Sequence, residues 1–126
     1  MTRKVLIVDD SKLARMSVVK VLKSLHPDYA CVEVGDANQT LATVRQEAPD
    51  FVLLDFNMPG KDGLTLAAEL RELNPSIGVA VISANHQIEV IERARATGAV
   101  FIRKPLTAES LASFLAGAAG QDKLAQ

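Results

Sequence analysis

The 126-residue chain balances 14 lysines and arginines against 15 aspartates and glutamates, a formal net charge of −1. Without a basic excess, direct nucleic-acid binding is not expected. With 48% hydrophobic residues and one cysteine, Cys31, the composition suits a single domain with its own core, excludes an intramolecular disulfide and points to a reducing, cytoplasmic setting.

Behind a basic start, the first apolar stretch, Val5 to Val8, is too short for a signal-peptide core or a membrane span, so no membrane association is expected. Apolar runs of strand length then alternate with helix-period segments, the pattern of repeated βα units around a parallel sheet. The first strand is placed at Lys4–Val8 and ends in Asp9 and Asp10. In the helix that follows, Leu13, Met16, Val19 and Leu22 recur at helical spacing and form the expected inward face. Pro27 precedes a second strand at Ala30–Val34, and Pro49 a third at Phe51–Leu54, which runs into Asp55. After the loop Phe56 to Gly60, Gly63 opens the third helix. Pro75 separates that helix from a fourth strand at Val79–Ile82, followed by Ser83. The first, third and fourth strands are the most continuously apolar and are expected at the centre of the sheet.

The fourth helix carries Val90 and Ile91 among Glu89, Glu92, Arg93 and Arg95; either one of the apolar pair faces solvent or both pack on the sheet. Gly98 stands where a helix C-terminal cap is expected. The fifth strand, Val100–Arg103, leads into Lys104 and Pro105, and the last helix repeats Leu111, Phe114, Leu115 and Ala118. One domain is expected over residues 1–120, then a short polar tail over 121–126 that leaves no room for an output domain.

Four of these runs end in residues able to handle a phosphoryl group: Asp9 and Asp10, Asp55, Ser83, and Lys104. In an open parallel sheet the carboxyl ends of the strands share one crevice. Asp9, Asp10 and Ser11 on their own read equally well as a helix N-cap. Three carboxylates within reach of each other, however, need a cation. Mg²⁺ suits them, with Asp10 and Asp55 binding directly and Asp9 through water. A backbone carbonyl in the loop after Asp55 would be a third ligand, and N–H groups there would receive phosphoryl oxygens. Pro59 and Gly60 also fit an ordinary turn, Lys104 a solvated strand end, and Ser83 carries weight only as part of the set. Asn38 to Thr40 matches a glycosylation acceptor only formally, and His26, His86 and Cys31 lack metal-ligand spacing.

The ordered set Asp9 and Asp10, Asp55 with Met58, Pro59, Gly60 and Gly63, Ser83 with Ala84, and Lys104 with Pro105 resembles the receiver domain of bacterial response regulators, of the single-domain chemotaxis type. The resemblance runs from Lys4 to about Ala118. It implies an α/β, flavodoxin-like doubly wound (βα)5 fold with a five-stranded parallel sheet in the order 2-1-3-4-5. It also implies that Asp55 is the phosphoacceptor, served by a sensor histidine kinase or a histidine phosphotransfer protein, with Ser83 and Lys104 holding the phosphoryl group. Asp9, Asp10, Asp55 and the backbone carbonyl of Asn57 would bind Mg²⁺, for which Mn²⁺ would substitute. Ser83 and Phe101 would act as the switch, changing the face formed by the fourth helix, fifth strand and fifth helix for a downstream protein target. A cis Lys104–Pro105 bond is implied too. Phe101 stands where many members carry tyrosine, and Asn57 and Asn85 where the family tunes phosphoryl lifetime. Such a protein is no enzyme beyond catalysing its own phosphorylation and dephosphorylation. The alternative is an interaction module of the same fold that works without phosphorylation.

Other classes fit less well. A phosphatase of the haloacid dehalogenase type needs a second acid two residues after its nucleophile, where this chain has Asn57. In a flavodoxin, Asp9 and Asp10 would repel the flavin phosphate. Gly60 and Lys61 lack the glycine spacing of a Walker motif.

Overall fold

The computed structural model describes residues 3–59, 61–84 and 87–125, with side chains described as far as residue 117. Gly60, Asn85, His86 and the side chain of Ala118 therefore lie outside the described residues. Among the described residues, the strands β1 (Lys4–Val8), β2 (Ala30–Val34), β3 (Phe51–Asp55), β4 (Gly78–Ser83) and β5 (Val100–Arg103) form one parallel sheet in the order β2-β1-β3-β4-β5. The helices are α1 (Lys12–Leu25), α2 (Thr40–Glu47, entered through a 3₁₀ turn at Ala37–Gln39), α3 (Gly63–Leu73), α4 (Ile88–Ala96) and α5 (Ala108–Ala125). The last helix runs on through residues expected as a polar tail.

The alternation of side chains along each strand divides the core in two. Leu6, Val8, Val52, Leu54, Val79 and Val81 face one side of the sheet. They pack with Val44 of α2, Leu64, Leu66, Ala67 and Leu70 of α3, and Ala94 of α4. Val5, Ile7, Phe51, Leu53, Ala80, Ile82 and Ile102 face the other side, against Leu22 of α1 and Leu111, Phe114 and Leu115 of α5. All five residues of β3 are buried, since helices cover both faces. Burying each large aliphatic side chain contributes about 1.5–3 kcal/mol, so this double core is what rigidly holds the strand ends.

The inward face of α1 differs from the expected one. Leu22 is fully buried, but Leu13 and Met16 are 76% and 53% exposed. Val18, Val21 and Leu25 join Leu22 against the core, beside a half-buried Val19. The first turns of α1 stand at the carboxyl edge of the sheet, where Ala14 and Arg15, not Leu13 and Met16, turn inward.

In α4, Val90 is buried and Ile91 half-buried, while Ile88, at the first position of the helix, is 73% exposed. Gly98 follows α4 with φ +89°, a left-handed conformation that glycine adopts without penalty. The Lys104–Pro105 bond is cis, as the resemblance implies.

Candidate functional site

Sheet register brings the chemistry to one edge. Val8 pairs with Leu54 and Asp55 with Ile82, so Asp9, Asp55 and Ser83 all lie at the carboxyl ends of adjacent strands. Ser83 pairs with Arg103, and the N–H of Lys104 donates to the Ser83 carbonyl at 2.9 Å. The loop after β3 is drawn back across the sheet by two backbone bonds: Phe56 N–H to the Ile82 carbonyl (2.9 Å) and Gly63 N–H to the Phe56 carbonyl (3.2 Å).

Local sequence explains how each acid is held. Ser11 caps α1, its hydroxyl accepting from Ala14 N–H at 3.2 Å. The Asp9 carboxylate in turn accepts from Ser11 N–H at 2.9 Å. The capping interpretation of this segment is thus correct for Ser11 and incomplete for Asp9 and Asp10. One carboxylate oxygen from each of Asp9, Asp10 and Asp55 lies within 4.8 Å of the others, with Asp9 and Asp55 buried and Asp10 exposed. Asp62 caps α3 through Thr65 N–H (2.8 Å), fixing the far end of the β3–α3 loop. Asn57 in that loop is exposed and Met58 buried.

The electrostatics of the cluster are unbalanced. Burial pushes the Asp9 carboxyl above its ordinary pKa, and the charges of Asp55 and Asp10 act in the same direction; the Ser11 N–H and the Lys104 ammonium oppose them. Lys104 Nζ lies 2.8 Å from Asp55 Oδ1. It does so as a counter-charge rather than an aligned donor, because that buried oxygen has no hydrogen-bond partner of good geometry. A desolvated carboxylate oxygen without a donor, beside two further carboxylates, fits a hard divalent cation such as Mg²⁺.

A 440 Å³ cavity touches Asp9, Asp55 and Lys104 and extends between α1 and Pro105–Leu106, over Val18, Val21, Leu53 and Ile82. A larger one of 820 Å³ lies along β5 and α5 and includes none of the acidic cluster. Ser83 is buried and Phe101 half-buried against the core. Outside the site, His26 stacks on Tyr29 with ring centroids 4.2 Å apart, and burial raises the pKa of the half-buried Cys31 thiol, which makes it a poor nucleophile.

Residues 5–116 match the family model for the response regulator receiver domain. The chain belongs to the response-regulator receiver family. Among curated relatives of this receiver, it is 33% identical over 113 residues to the transcriptional regulatory protein PdtaR of Mycobacterium tuberculosis, covering 86% of this chain and 53% of that protein. It is 30% identical over 100 residues to sporulation initiation phosphotransferase F of Bacillus subtilis, covering 79% of each. The chain thus spans about half the length of several curated relatives that it matches. Among solved structures, a CheY-like receiver domain protein from Methanospirillum hungatei superposes with a TM-score of 0.87 at 22% identity, covering 98% of both chains. A CheX-CheY-BeF3-Mg complex from Borrelia burgdorferi contains a chain that superposes with a TM-score of 0.81 at 26% identity, covering 90% of this chain and 86% of that one. The fold likeness confirms the doubly wound 2-1-3-4-5 sheet.

Receivers are the phosphoacceptor modules of two-component signalling; they bind Mg²⁺ at an acidic pocket and communicate between histidine kinases and effectors. Sequence reasoning missed Arg15 and Gly35 at the rim of this receiver's site, and nothing in their spacing points to them. Among the described residues, no helix is long and apolar enough to cross a membrane.

Proposed function

We propose that this receiver accepts a phosphoryl group on Asp55 from the phosphohistidine of a sensor histidine kinase or a histidine phosphotransfer protein. The observation that carries the reading is the buried Asp55 Oδ1, without a well-aligned hydrogen-bond donor, flanked by two more carboxylates and by the Lys104 ammonium at 2.8 Å. In the transfer, an Asp55 oxygen attacks phosphorus, the O–P bond forms as the N–P bond of the phosphohistidine breaks, and the imidazole leaves neutral after taking up a proton. Lys104 neutralises the oxygens of the transferring group, and the Ser83 hydroxyl donates to one of them. Asp9, Asp10, Asp55 and the Asn57 carbonyl would hold Mg²⁺, or Mn²⁺ in its place. A bound ion would supply charge neutralisation at the phosphoryl oxygens. Hydrolysis of the acyl phosphate by water returns Asp55 to its starting state.

The output is a changed surface rather than a released product. Drawing Ser83 and Lys104 onto the phosphoryl group biases the β4–α4 connection and the half-buried Phe101, and with them the face of α4, β5 and α5 offered to a protein target. Among the described residues, Ile88 and Val100 are the large apolar side chains exposed there. The phosphodonor must instead reach the crevice itself, and the exposed Leu13 and Met16 on the first turns of α1 stand beside it.

The reading is tested by melting the protein with Mg²⁺ and beryllium fluoride, whose tetrahedral BeF3 group mimics a phosphoryl group on a carboxylate. A rise of several degrees in the wild type, lost in Asp55→Ala, is expected; equal responses from both would refute it.

A further inference from the structure

Arg15 takes no part in the chemistry above, yet its side chain is only 16% exposed. Nη1 donates to the backbone carbonyl of Asp9 at 2.5 Å, and Nε donates to Glu33 Oε1 at 3.1 Å. One helix side chain thus joins the exit of β1 to the edge strand β2. Gly35, immediately after β2, makes room for it, because a Cβ at that position would stand 2.9 Å from Arg15 Nη1. No left-handed backbone conformation demands glycine there, so the missing side chain serves the guanidinium.

The carbonyl that Arg15 holds belongs to the peptide linking Asp9 to Asp10. Three bonds fix this turn: Asp9 N–H donates to the Val34 carbonyl at 3.1 Å, Ser11 N–H to the Asp9 carboxylate at 2.9 Å, and Arg15 Nη1 to the Asp9 carbonyl. The first two hold Asp9. The third orients the peptide plane from which the exposed Asp10 projects. Glu33 completes the arrangement, since an unpaired guanidinium beside the acidic cluster would repel a divalent cation.

We propose that Arg15, seated against Gly35 and neutralised by Glu33, is a positioning residue that aims Asp10 into the metal-binding cluster. The inference rests on the Mg²⁺ reading of that cluster. Side chains that orient metal ligands typically change affinity by about 10- to 100-fold when removed.

The test is a calorimetric Mg²⁺ titration of the wild type, Arg15→Met, Arg15→Lys and Gly35→Ala, without any phosphodonor, alongside melting of each in the absence of metal. Arg15→Met is expected to weaken Mg²⁺ binding about tenfold, and Arg15→Lys to restore it only partly, because an ammonium lacks the fork that reaches both partners. Gly35→Ala displaces only the end of the Arg15 side chain, so it should weaken binding with little change in melting temperature. It also carries the test if Arg15→Met does not fold. Wild-type binding matched within twofold by Gly35→Ala and by each folded Arg15 variant would overturn this inference and leave the metal site standing. A wild type that takes up no Mg²⁺ at millimolar concentration would overturn both.

Discussion

Lys104 Nζ and Asp55 Oδ1 meet at 2.8 Å although their strands are not neighbours: β4 lies between β3 and β5. Two strand intervals amount to about 9–10 Å, which the lysine stem covers together with the Asp55 side chain and the contact between them. The Lys104 side chain is 39% exposed and that of Asp55 7%, so the contact joins a substantially solvated side chain to a desolvated one.

Replacing Lys104 by methionine should therefore separate function from stability. Because the cation is substantially solvated, its loss should cost the fold about 1 kcal/mol or less in urea denaturation. Phosphoryl transfer from acetyl phosphate should slow at least about tenfold in a single-turnover assay, since the charge on the transferring oxygens goes unmatched.

The raised pKa of Asp9 gives the metal-free protein a defined pH response. Between the ordinary pKa and the raised one, the folded state holds a proton that the unfolded chain has already released. The stabilisation is thus fully present below the ordinary value of 3.8 and is lost as pH rises through the higher folded-state value. Mg²⁺ affinity should run the other way, rising with pH as the proton leaves. Asp9→Asn should stabilise the metal-free fold at neutral pH, flatten this response, and lose most of the roughly 1.4 kcal/mol that Mg²⁺ supplies at ten times its Kd. Thermal melts across pH, with and without Mg²⁺, check all three outcomes.

Gly63 brings the start of α3 against the loop carrying the site. A Cβ there would lie 2.9 Å from Phe56 Cα and 3.0 Å from the Asp55 carbonyl, both backbone atoms that cannot swing aside. Gly63→Ala should cost about 1–3 kcal/mol in urea denaturation, the usual penalty for overpacking, and should displace Asp55 enough to lower its phosphorylation.

Leu13 and Met16 are exposed apolar side chains on the first turns of α1, which a phosphohistidine protein entering the crevice would cover under the proposed function. Leu13→Asp and Met16→Asp should weaken transfer from a phosphohistidine protein by about tenfold or more, while transfer from acetyl phosphate, which needs no such surface, stays within twofold. Parallel assays with the two donors decide this.

The strands were legible because a two-sided parallel sheet demands continuous apolar runs; Lys4–Val8, Ala30–Val34 and Val100–Arg103 coincide with the expected spans, while β3 and β4 extend slightly further. Besides Gly78 at the start of β4, the residues gained are Asp55 and Ser83 at the carboxyl ends, polar groups that pattern reading leaves outside a strand but the ladder includes. Leu13 and Met16 misled because helical spacing identifies a stripe without saying where the sheet beneath it stops. The acids and Lys104 stood out because charges directly after apolar strands are unusual, whereas Arg15 and Gly35 act through one contact that only the folded chain creates.

The central claim is tested most directly by intact mass after incubation with Mg²⁺ and acetyl phosphate, followed by rapid acid quenching, for the wild type beside Asp55→Ala. One added phosphoryl group on the wild type alone is the predicted result. No adduct on the wild type, even with a phosphoramidate donor, or an equal adduct on the variant, would contradict it.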